Sequence, residues 1–188
     1  MKKLRRKWWR QVRRRDVQRL VFVDESGANT SMTRRRARAP KGERAVGSIP
    51  QGHWKTLTLV GALRWEGIVA AVTIAAPTDT EIFRAFVGQA LVPALRRNDV
   101  VVWDNLSSHR APDLVAALER VGASFLALPP YSPDLSPIEP CWSKVKQHLR
   151  SAEARTEEAL GQAAAEAFAN VTAEDARGWF QECGLCVH

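Results

Sequence analysis

The sequence predicts an α/β protein built on one mixed five-stranded sheet with helices on both faces. Residues 56–63 (TLTLVGAL) and 68–74 (IVAAVTI) are apolar runs whose four-residue connection suits an antiparallel hairpin. Residues 100–103 (VVVW) are apolar on both faces, as in a central parallel strand that is covered on both sides. Helical patterns lie between the later runs, and crossover helices of this kind pack against a sheet.

The predicted elements follow one another in the order β-β-β-α-β-α-β. Residues 20–23 (LVFV) form a buried strand that ends at Asp24. Residues 78–95 open with a capping-box pattern and continue with apolar residues at helical spacing, and a proline near their end should kink or end the helix. Another helix begins near Pro112, and residues 124–128 form the fifth strand.

A proline-rich loop separates this sheet from three C-terminal helices. The helices are predicted near residues 138–150, near residues 157–169 and from Thr172 onward. A chain of 188 residues suits one principal domain. We therefore expect a basic N-terminal extension at residues 1–19 and a single α/β domain at residues 20–188.

The composition argues against disorder, secretion and a membrane span. The chain has 45% hydrophobic and 26% charged residues. It has no run of about 18 apolar residues, which a membrane span would need. The basic start is not followed by the apolar stretch of a signal peptide. Three cysteines are too few for a disulfide framework and agree with a reducing compartment. We therefore expect a cytoplasmic protein with no membrane partner.

Positive charge is concentrated in two segments. The net charge is +8, and nine of the 28 Lys and Arg residues lie within residues 2–15, which contain no acid. A second cluster is opposed only by Glu43 and consists of Arg34, Arg35, Arg36, Arg38, Lys41 and Arg44. This asymmetry favours a polyanionic partner, and nucleic acid is the expected one. A solvated arm and a solvated loop would show the same charge pattern.

Two aspartates directly follow predicted parallel strands. Asp24 follows the first strand and Asp104 the fourth, and sites in such sheets form beyond the carboxyl ends of the strands. Two neighbouring carboxylates repel each other unless a cation lies between them, and Mg²⁺ prefers such oxygen ligands. Glu139, at the start of a predicted helix, is a third candidate. A structural role also stays open, because Ser136-Pro-Ile-Glu139 fits a capping box and the aspartates suit strand-end turns.

The contexts of the three acids resemble those of a known family. Asp24 in VDESG, Asp104 in VVWDNLSSH and Glu139 in PPYSPDLSPIEPCW are similar to the acids of DDE transposases in the IS630/Tc1/mariner superfamily. The 34 residues between the second and third acids match its DD34E group. Further similar stretches are residues 38–42 (RAPKG), 52–55 (GHWK) and 91–93 (LVP). The resemblance implies an RNase H-like fold with sheet order 3-2-1-4-5, in which strand 2 is antiparallel.

The resemblance also implies a chemistry. Members of this family cleave DNA and transfer the strands of an insertion element with divalent ions, and we expect two Mg²⁺ or Mn²⁺ ions in each active site. Asp24 would bridge both ions, Asp104 would bind one and Glu139 the other. Asn105 and His109 are candidates for supporting the metal ligands or contacting a phosphate.

The implied partners are DNA element ends and target DNA, bound by a homodimer at the nucleoid. Relatives carry a helix-turn-helix DNA-binding part before the catalytic domain, which would here be encoded separately or lost. Trp8 and Trp9 could stack on bases or dock the extension onto a partner. The expected phosphate contacts are Arg34, Arg35, Arg36, Arg38, Lys41, Arg44, Lys55, Lys144 and Lys146.

Two alternative functions remain compatible with the same residues. An inactive or truncated transposase remnant would bind DNA without cutting it at any metal concentration. An RNase H-like nuclease or resolvase would cut DNA without joining strands.

Overall fold

The computed structural model describes residues 2–77, 79–104 and 112–186 and is centred on one five-stranded sheet. Its strands are β1 (Leu20–Asn29), β2 (Thr56–Arg64), β3 (Gly67–Ile74), β4 (Val100–Trp103) and β5 (Ser124–Ala127). Their order is β3-β2-β1-β4-β5. The β1–β2 and β2–β3 pairs are antiparallel, whereas the β1–β4 and β4–β5 pairs are parallel. The expected strand order and the antiparallel second strand are confirmed.

Helices cover both faces of the sheet, as expected. They are α1 (Lys2–Val12), α2 (Thr80–Phe86), α3 (Val92–Ala94), α4 (Pro112–Arg120), α5 (Ile138–Ala152), α6 (Glu157–Ala169) and α7 (Ala173–Glu182). One apolar layer joins α1, α5, α6 and α7 to the face that carries Phe22. The other joins α2 and α4 to the face that carries Val21 and Val23, since side chains alternate along a strand. Within the described ranges, no helix has the length and apolarity to cross a membrane.

The first strand is longer than predicted. Its parallel pairing with β4 stops at Phe22 opposite Val102, but its antiparallel pairing with β2 continues to Asn29 opposite Thr56. The expectation that the strand ends at Asp24 is therefore wrong, because β2 goes on binding the backbone groups of β1. Asp24 nevertheless lies at the level where β4 ends.

The helix after β3 is interrupted near its proline. Asp79 caps α2 by accepting a hydrogen bond from the Ile82 amide at 2.8 Å; Thr78, the first residue of the predicted capping box, lies outside the described residues. A π-helical turn, Val87–Leu91, leads into α3, which contains Pro93 and ends at Ala94. The expected break at the proline is confirmed, and its cause is the missing amide donor.

The basic N-terminal segment forms a helix that packs on the domain. Trp8 and Val12 on α1 are 2% and 3% exposed and belong to the same apolar layer as Phe22. Arg5 donates hydrogen bonds to Ser132 at 3.0 Å and to Asp134 at 2.9 and 2.5 Å. The Trp8 ring is therefore buried against its own chain and is not available for stacking on a base. Dividing the chain at residue 20 remains a prediction.

A buried ion pair joins β2 to the start of β4, at the sheet edge opposite Asp24. Arg64 and Asp99 are 1% and 0% exposed, and Arg64 Nη2 lies 2.5 Å from Asp99 Oδ2. The same carboxylate oxygen accepts a hydrogen bond from the Arg96 amide at 2.7 Å. Arg64 also donates to the Ala94 carbonyl at 3.2 Å, and Arg19 lies 3.7 Å from the other Asp99 oxygen. One carboxylate thus connects three segments of the chain.

Candidate active site

A pocket of about 420 Å³ opens at the sheet edge where β4 ends. Asp24 from β1, Asp104 after β4 and Glu139 from α5 all line it. The proline-rich loop, residues 129–137, supplies much of the remaining wall. The three predicted acids thus line one pocket, and for the two aspartates this is what the strand-end argument led us to expect.

The Asp24 carboxyl is partly buried, and its environment disfavours ionisation. Its pKa is raised from an ordinary value of 3.8 to about 6, mainly by burial and to a smaller extent by the negative charges of Glu139 and Asp104. Hydrogen bonds from the Glu25 backbone and the Trp142 indole oppose this rise. A cation bound nearby would stabilise the ionised form of this carboxyl and reduce its repulsion with the two other acids.

Trp142 on α5 holds the Asp24 carboxylate, and sequence reasoning missed it. Its indole Nε1 donates a hydrogen bond to Asp24 Oδ2 at 2.9 Å, and the residue is 4% exposed. Gly61 lies opposite Asp24 across the β1–β2 pair, and a Cβ there would stand 2.9 Å from the Trp142 ring. The glycine therefore makes room for the indole. The available signal was spacing: Trp142 follows Glu139 by three residues, which is one helical turn.

Asp104 is positioned by the end of β4. It follows Trp103, is partly exposed and shares a sheet face with Val102 by strand alternation. The Leu128 amide donates to the Trp103 carbonyl at 2.9 Å, so the end of β5 and the start of the proline-rich loop lie beside it. The predicted neighbours Asn105 and His109 lie outside the described residues.

Glu139 is the second residue of α5 and is exposed. The N-cap of α5 is Pro137, and no side chain caps this helix end. The capping box from Ser136 to Glu139 is therefore not formed, because the helix starts one residue later than that box requires. Pro137 at the N-cap and Pro140 in the first turn both stand where a missing amide donor is tolerated. The Glu139 carboxylate thus lines the pocket instead of capping its own helix.

The three carboxylates of the pocket are the kind of ligand that a hard divalent cation prefers. Three carboxylates line one pocket, and oxygen ligands of this kind suit Mg²⁺ or Mn²⁺. Among the described residues, however, no three His, Cys, Asp or Glu side chains are gathered closely enough to form a metal cluster. One oxygen of Asp24 instead accepts the indole hydrogen bond. The three carboxylates therefore line one pocket, but in this structure they are not close enough to one another to form a metal site.

The predicted DNA-contact residues lie in different settings. Lys144 forms an ion pair with Asp175 on α7, so it faces the C-terminal helices and we do not carry it into the proposed contacts. Lys146 is partly exposed on another face of α5, and Lys55 is exposed just before β2. The remaining residues are exposed in the connection between β1 and β2, namely Arg34, Arg35, Arg36, Arg38, Lys41 and Arg44.

Comparison with known proteins agrees with this geometry. Residues 19–161, more than half of the chain, match the family described as DDE superfamily endonuclease. The chain belongs to this family. No curated protein matches the sequence. The DDE endonuclease match spans β1 to β5 together with α5, so it includes all three pocket acids.

Solved structures similar to this DDE endonuclease chain share its fold. A Mos1 mariner paired-end complex with Mn matches with a TM-score of 0.75 at 19% identity, over 95% of this chain and 56% of the other. A Mos1 transposase paired-end complex with the left transposon end matches at 0.73 and 20% identity, again over 95% and 56%. The chain thus spans a little over half of these proteins. The Mos1 transposase catalytic domain with Raltegravir and Mn matches at 0.69 and 18% identity, over 95% and 84%. The RNase H-like fold is confirmed.

Proposed function

We propose that this chain is the catalytic domain of a DNA transposase of the IS630 type, which cuts the strands of an insertion element and joins them to target DNA. The observation that supports this most directly is the pocket shared by Asp24, Asp104 and Glu139 in a chain of the DDE endonuclease family. The similar Mos1 structures are, by their titles, complexes with transposon ends and with Mn or Mg. The proposed catalytic domain comprises residues 20–188.

The proposed cofactor is a pair of Mg²⁺ or Mn²⁺ ions, with Asp24 bridging both, Asp104 holding one and Glu139 the other. Bound divalent ions would stabilise charge on the attacking and leaving oxygens of the phosphodiester. General acid-base catalysis by carboxylates supplies only about 10²- to 10⁴-fold. Phosphate ester hydrolysis demands about 10¹⁷-fold or more, roughly 23 kcal/mol. The three acids therefore serve better as ligands than as bases.

The residues of the chain itself position these ligands and the DNA. Trp142 orients Asp24 through its indole hydrogen bond, and the buried end of β4 places Asp104. The proline-rich loop sets the start of α5 and so the position of Glu139. The proposed contacts to DNA phosphates are Arg34, Arg35, Arg36, Arg38, Lys41, Arg44, Lys55 and Lys146. Asn105 and His109 remain proposed supports of the ligands or contacts to a phosphate.

The proposed partners follow from this function. Element ends and target DNA would be bound by a homodimer in the cytoplasm, at the nucleoid. Recognition of the element ends would need a helix-turn-helix part in addition to residues 20–188.

A nicking assay on supercoiled plasmid tests the proposal. We expect the native chain to nick DNA with Mg²⁺ or Mn²⁺ and not with EDTA, and we expect Asp24→Ala and Glu139→Ala to lose this activity. Equal activity in all three proteins would refute the assignment. Joining of a pre-cut end to target DNA then separates a transposase from a nuclease, which would cut without joining.

Trp142→Phe should slow nicking about 10- to 100-fold, the usual effect of removing a partner that orients a metal ligand. The phenyl ring keeps most of the contact with Phe168 and Gly61 but lacks the N–H that holds Asp24. The measurement is the initial nicking rate over a range of Mg²⁺ concentrations, together with thermal unfolding to confirm the fold. Trp179 is a partly buried tryptophan on α7. Trp179→Phe is therefore the matched control and should nick DNA at the rate of the native chain. An unchanged rate in Trp142→Phe would contradict the positioning role.

A further inference from the structure

A cationic groove extends along α5 away from the pocket. It consists of two adjoining cavities of about 560 and 330 Å³, which share Arg35 and Arg150 in their walls. Among the residues that the structure describes, no acidic one lines either cavity. We call this surface the α5 groove, defined by its five cations Arg34, Arg35, Arg36, Lys146 and Arg150. Ser143 and Gln147 add neutral hydrogen-bonding groups to its wall.

The cations of the α5 groove are not neutralised by the described part of the chain, where none of the five forms an ion pair or a side-chain hydrogen bond. Other surface arginines do, since Arg84 pairs with Asp113 and Arg96 with Glu66. Arg35 and Arg150 line both cavities. Burial lowers the pKa of Arg150, and the positive charge of Arg35 lowers it further. Like charges held together in this way favour binding of an anion.

The loop that carries Arg34, Arg35 and Arg36 is tied to α5 at its base. Arg155, just after α5, donates hydrogen bonds to the Thr30 carbonyl at 3.2 Å and the Met32 carbonyl at 2.9 Å. Thr30 and Lys55 close the loop through bonds of 3.0 and 3.1 Å. The arginines begin two residues after Met32. Their proximity to Arg150 is therefore built into the fold.

The α5 groove has a defined register relative to the pocket. Glu139, Ser143, Lys146 and Arg150 follow one another at intervals of four, three and four residues and so share one face of α5. Eleven residues of helix at 1.5 Å each give about 16 Å from Glu139 to Arg150. Along β1, five residues at about 3.3 Å give a similar distance from Asp24 to Asn29, which also lines the groove. Because base pairs rise by about 3.4 Å along the axis of duplex DNA, 16 Å along that axis corresponds to roughly five base pairs.

We propose that the α5 groove binds the sugar-phosphate backbone of duplex DNA about five base pairs, measured along the duplex axis, from the phosphate held at the three acids. Arg35 and Arg150 make the main contacts, and Ser143 and Gln147 donate further hydrogen bonds to phosphate oxygens. The proposal that DNA binds here depends only on the cations of the α5 groove. The register rests on the proposed function, because it is counted from the phosphate that is cut.

Duplex binding without metal tests the α5 groove. A labelled duplex of about 30 base pairs is titrated in EDTA over a series of salt concentrations, with fluorescence anisotropy as the readout. Arg150→Ala should weaken binding and lower the slope of log affinity against log salt by about 0.9 for each lost phosphate contact. Arg35→Ala, in the exposed loop, should do the same without touching the helix. Unchanged affinity and slope in both variants would overturn the proposal.

Arg120→Ala is the matched control. Arg120 is exposed at the end of α4, on the opposite face of the sheet, and its loss removes the same charge. Its slope of log affinity against log salt should equal that of the native chain. If the slope fell as much as in Arg150→Ala, the effect would be a non-specific consequence of lost charge, and the proposed binding site would be wrong. Because this assay contains no metal, it is independent of cleavage. A native chain that binds as expected but never nicks would refute the transposase function and leave the groove standing.

The register has its own test once the nick has been mapped. Single neutral methylphosphonates are placed along the duplex on either side of the nicked phosphate. The native chain should lose most affinity at a substitution about five base pairs away along the duplex axis, whereas Arg150→Ala should lose little there because the contact is already gone. An equal loss in both proteins at every position would overturn the register.

Discussion

Asp104→Asn is expected to lower the rate of metal-dependent nicking by about a thousandfold or more, roughly 4 kcal/mol in activation free energy. The amide keeps the size of the side chain but loses the negative charge that a divalent ion requires of its ligand. Removing a group that merely orients a metal ligand costs about 10- to 100-fold, so removing a ligand should cost more. The measurement is the single-turnover nicking rate at saturating Mg²⁺, and again with Mn²⁺.

The variant should fold at least as stably as the native chain. The pKa of Asp24 is about 6 in the folded chain against an ordinary value of 3.8. A carboxyl with a raised folded pKa supports folding at low pH, and this support is lost as the pH rises from about 4 to 6. The negative charge of Asp104 contributes to that rise. Its removal should therefore raise the melting temperature slightly above pH 6, which separates lost chemistry from lost structure.

Asp113→Asn is the control for this experiment. Asp113 lies on α4, is largely exposed and pairs with Arg84, so the same chemical change occurs outside the pocket. Native nicking rates are expected. If Asp104→Asn nicked within tenfold of the native rate, Asp104 would not be a metal ligand. The proposed catalytic set would then be wrong.

Asp99→Ala is expected to lower the free energy of unfolding by about 3–5 kcal/mol, since it leaves a buried guanidinium without its partner. Arg64 is 1% exposed, and its pairing with Asp99 at 2.5 Å is central to the junction of β2, β4 and the turn before β4. The loss is large against the roughly 5–15 kcal/mol of a typical domain. Urea unfolding followed by circular dichroism measures it.

A double replacement sharpens this prediction. Arg64→Met combined with Asp99→Leu removes both charges and should destabilise less than Asp99→Ala alone, because no buried charge is left unpaired. Asp113→Ala, which breaks only the exposed pair with Arg84, should leave the unfolding midpoint unchanged. If Asp99→Ala were as stable as the native chain, Arg64 would have to be paired with another group or with water, and the prediction would be wrong.

The strands of the sheet could be predicted from local patterns. The hairpin of β2 and β3 follows from two apolar runs and a short connection, and β4 is recognisable because all four of its residues are apolar. The extension of β1 to Asn29 was not predictable in this way. Residues 25–29 contain few apolar side chains, and they remain in a strand because β2 pairs with them.

The helices show the same division. α6 and α7 agree with the helices predicted near residues 157–169 and from Thr172 onward, and Thr172 forms a capping box at the start of α7. α1 was expected only as a basic extension, because its charges dominate the pattern. The burial of Trp8 and Val12 could not be predicted locally, because it depends on the apolar layer against which α1 packs.

The sequence by itself determined the sheet order, the three acids and the basic character of the connection between β1 and β2. These depend on short-range patterns and on a resemblance of local motifs. Only the tertiary structure decided that Glu139 lines the pocket instead of capping α5, that Trp142 holds Asp24 and that Arg150 and Arg35 line the same groove. Each of these brings together segments that are far apart in the chain. Such contacts depend on how α5 packs against β1, and no local pattern encodes them.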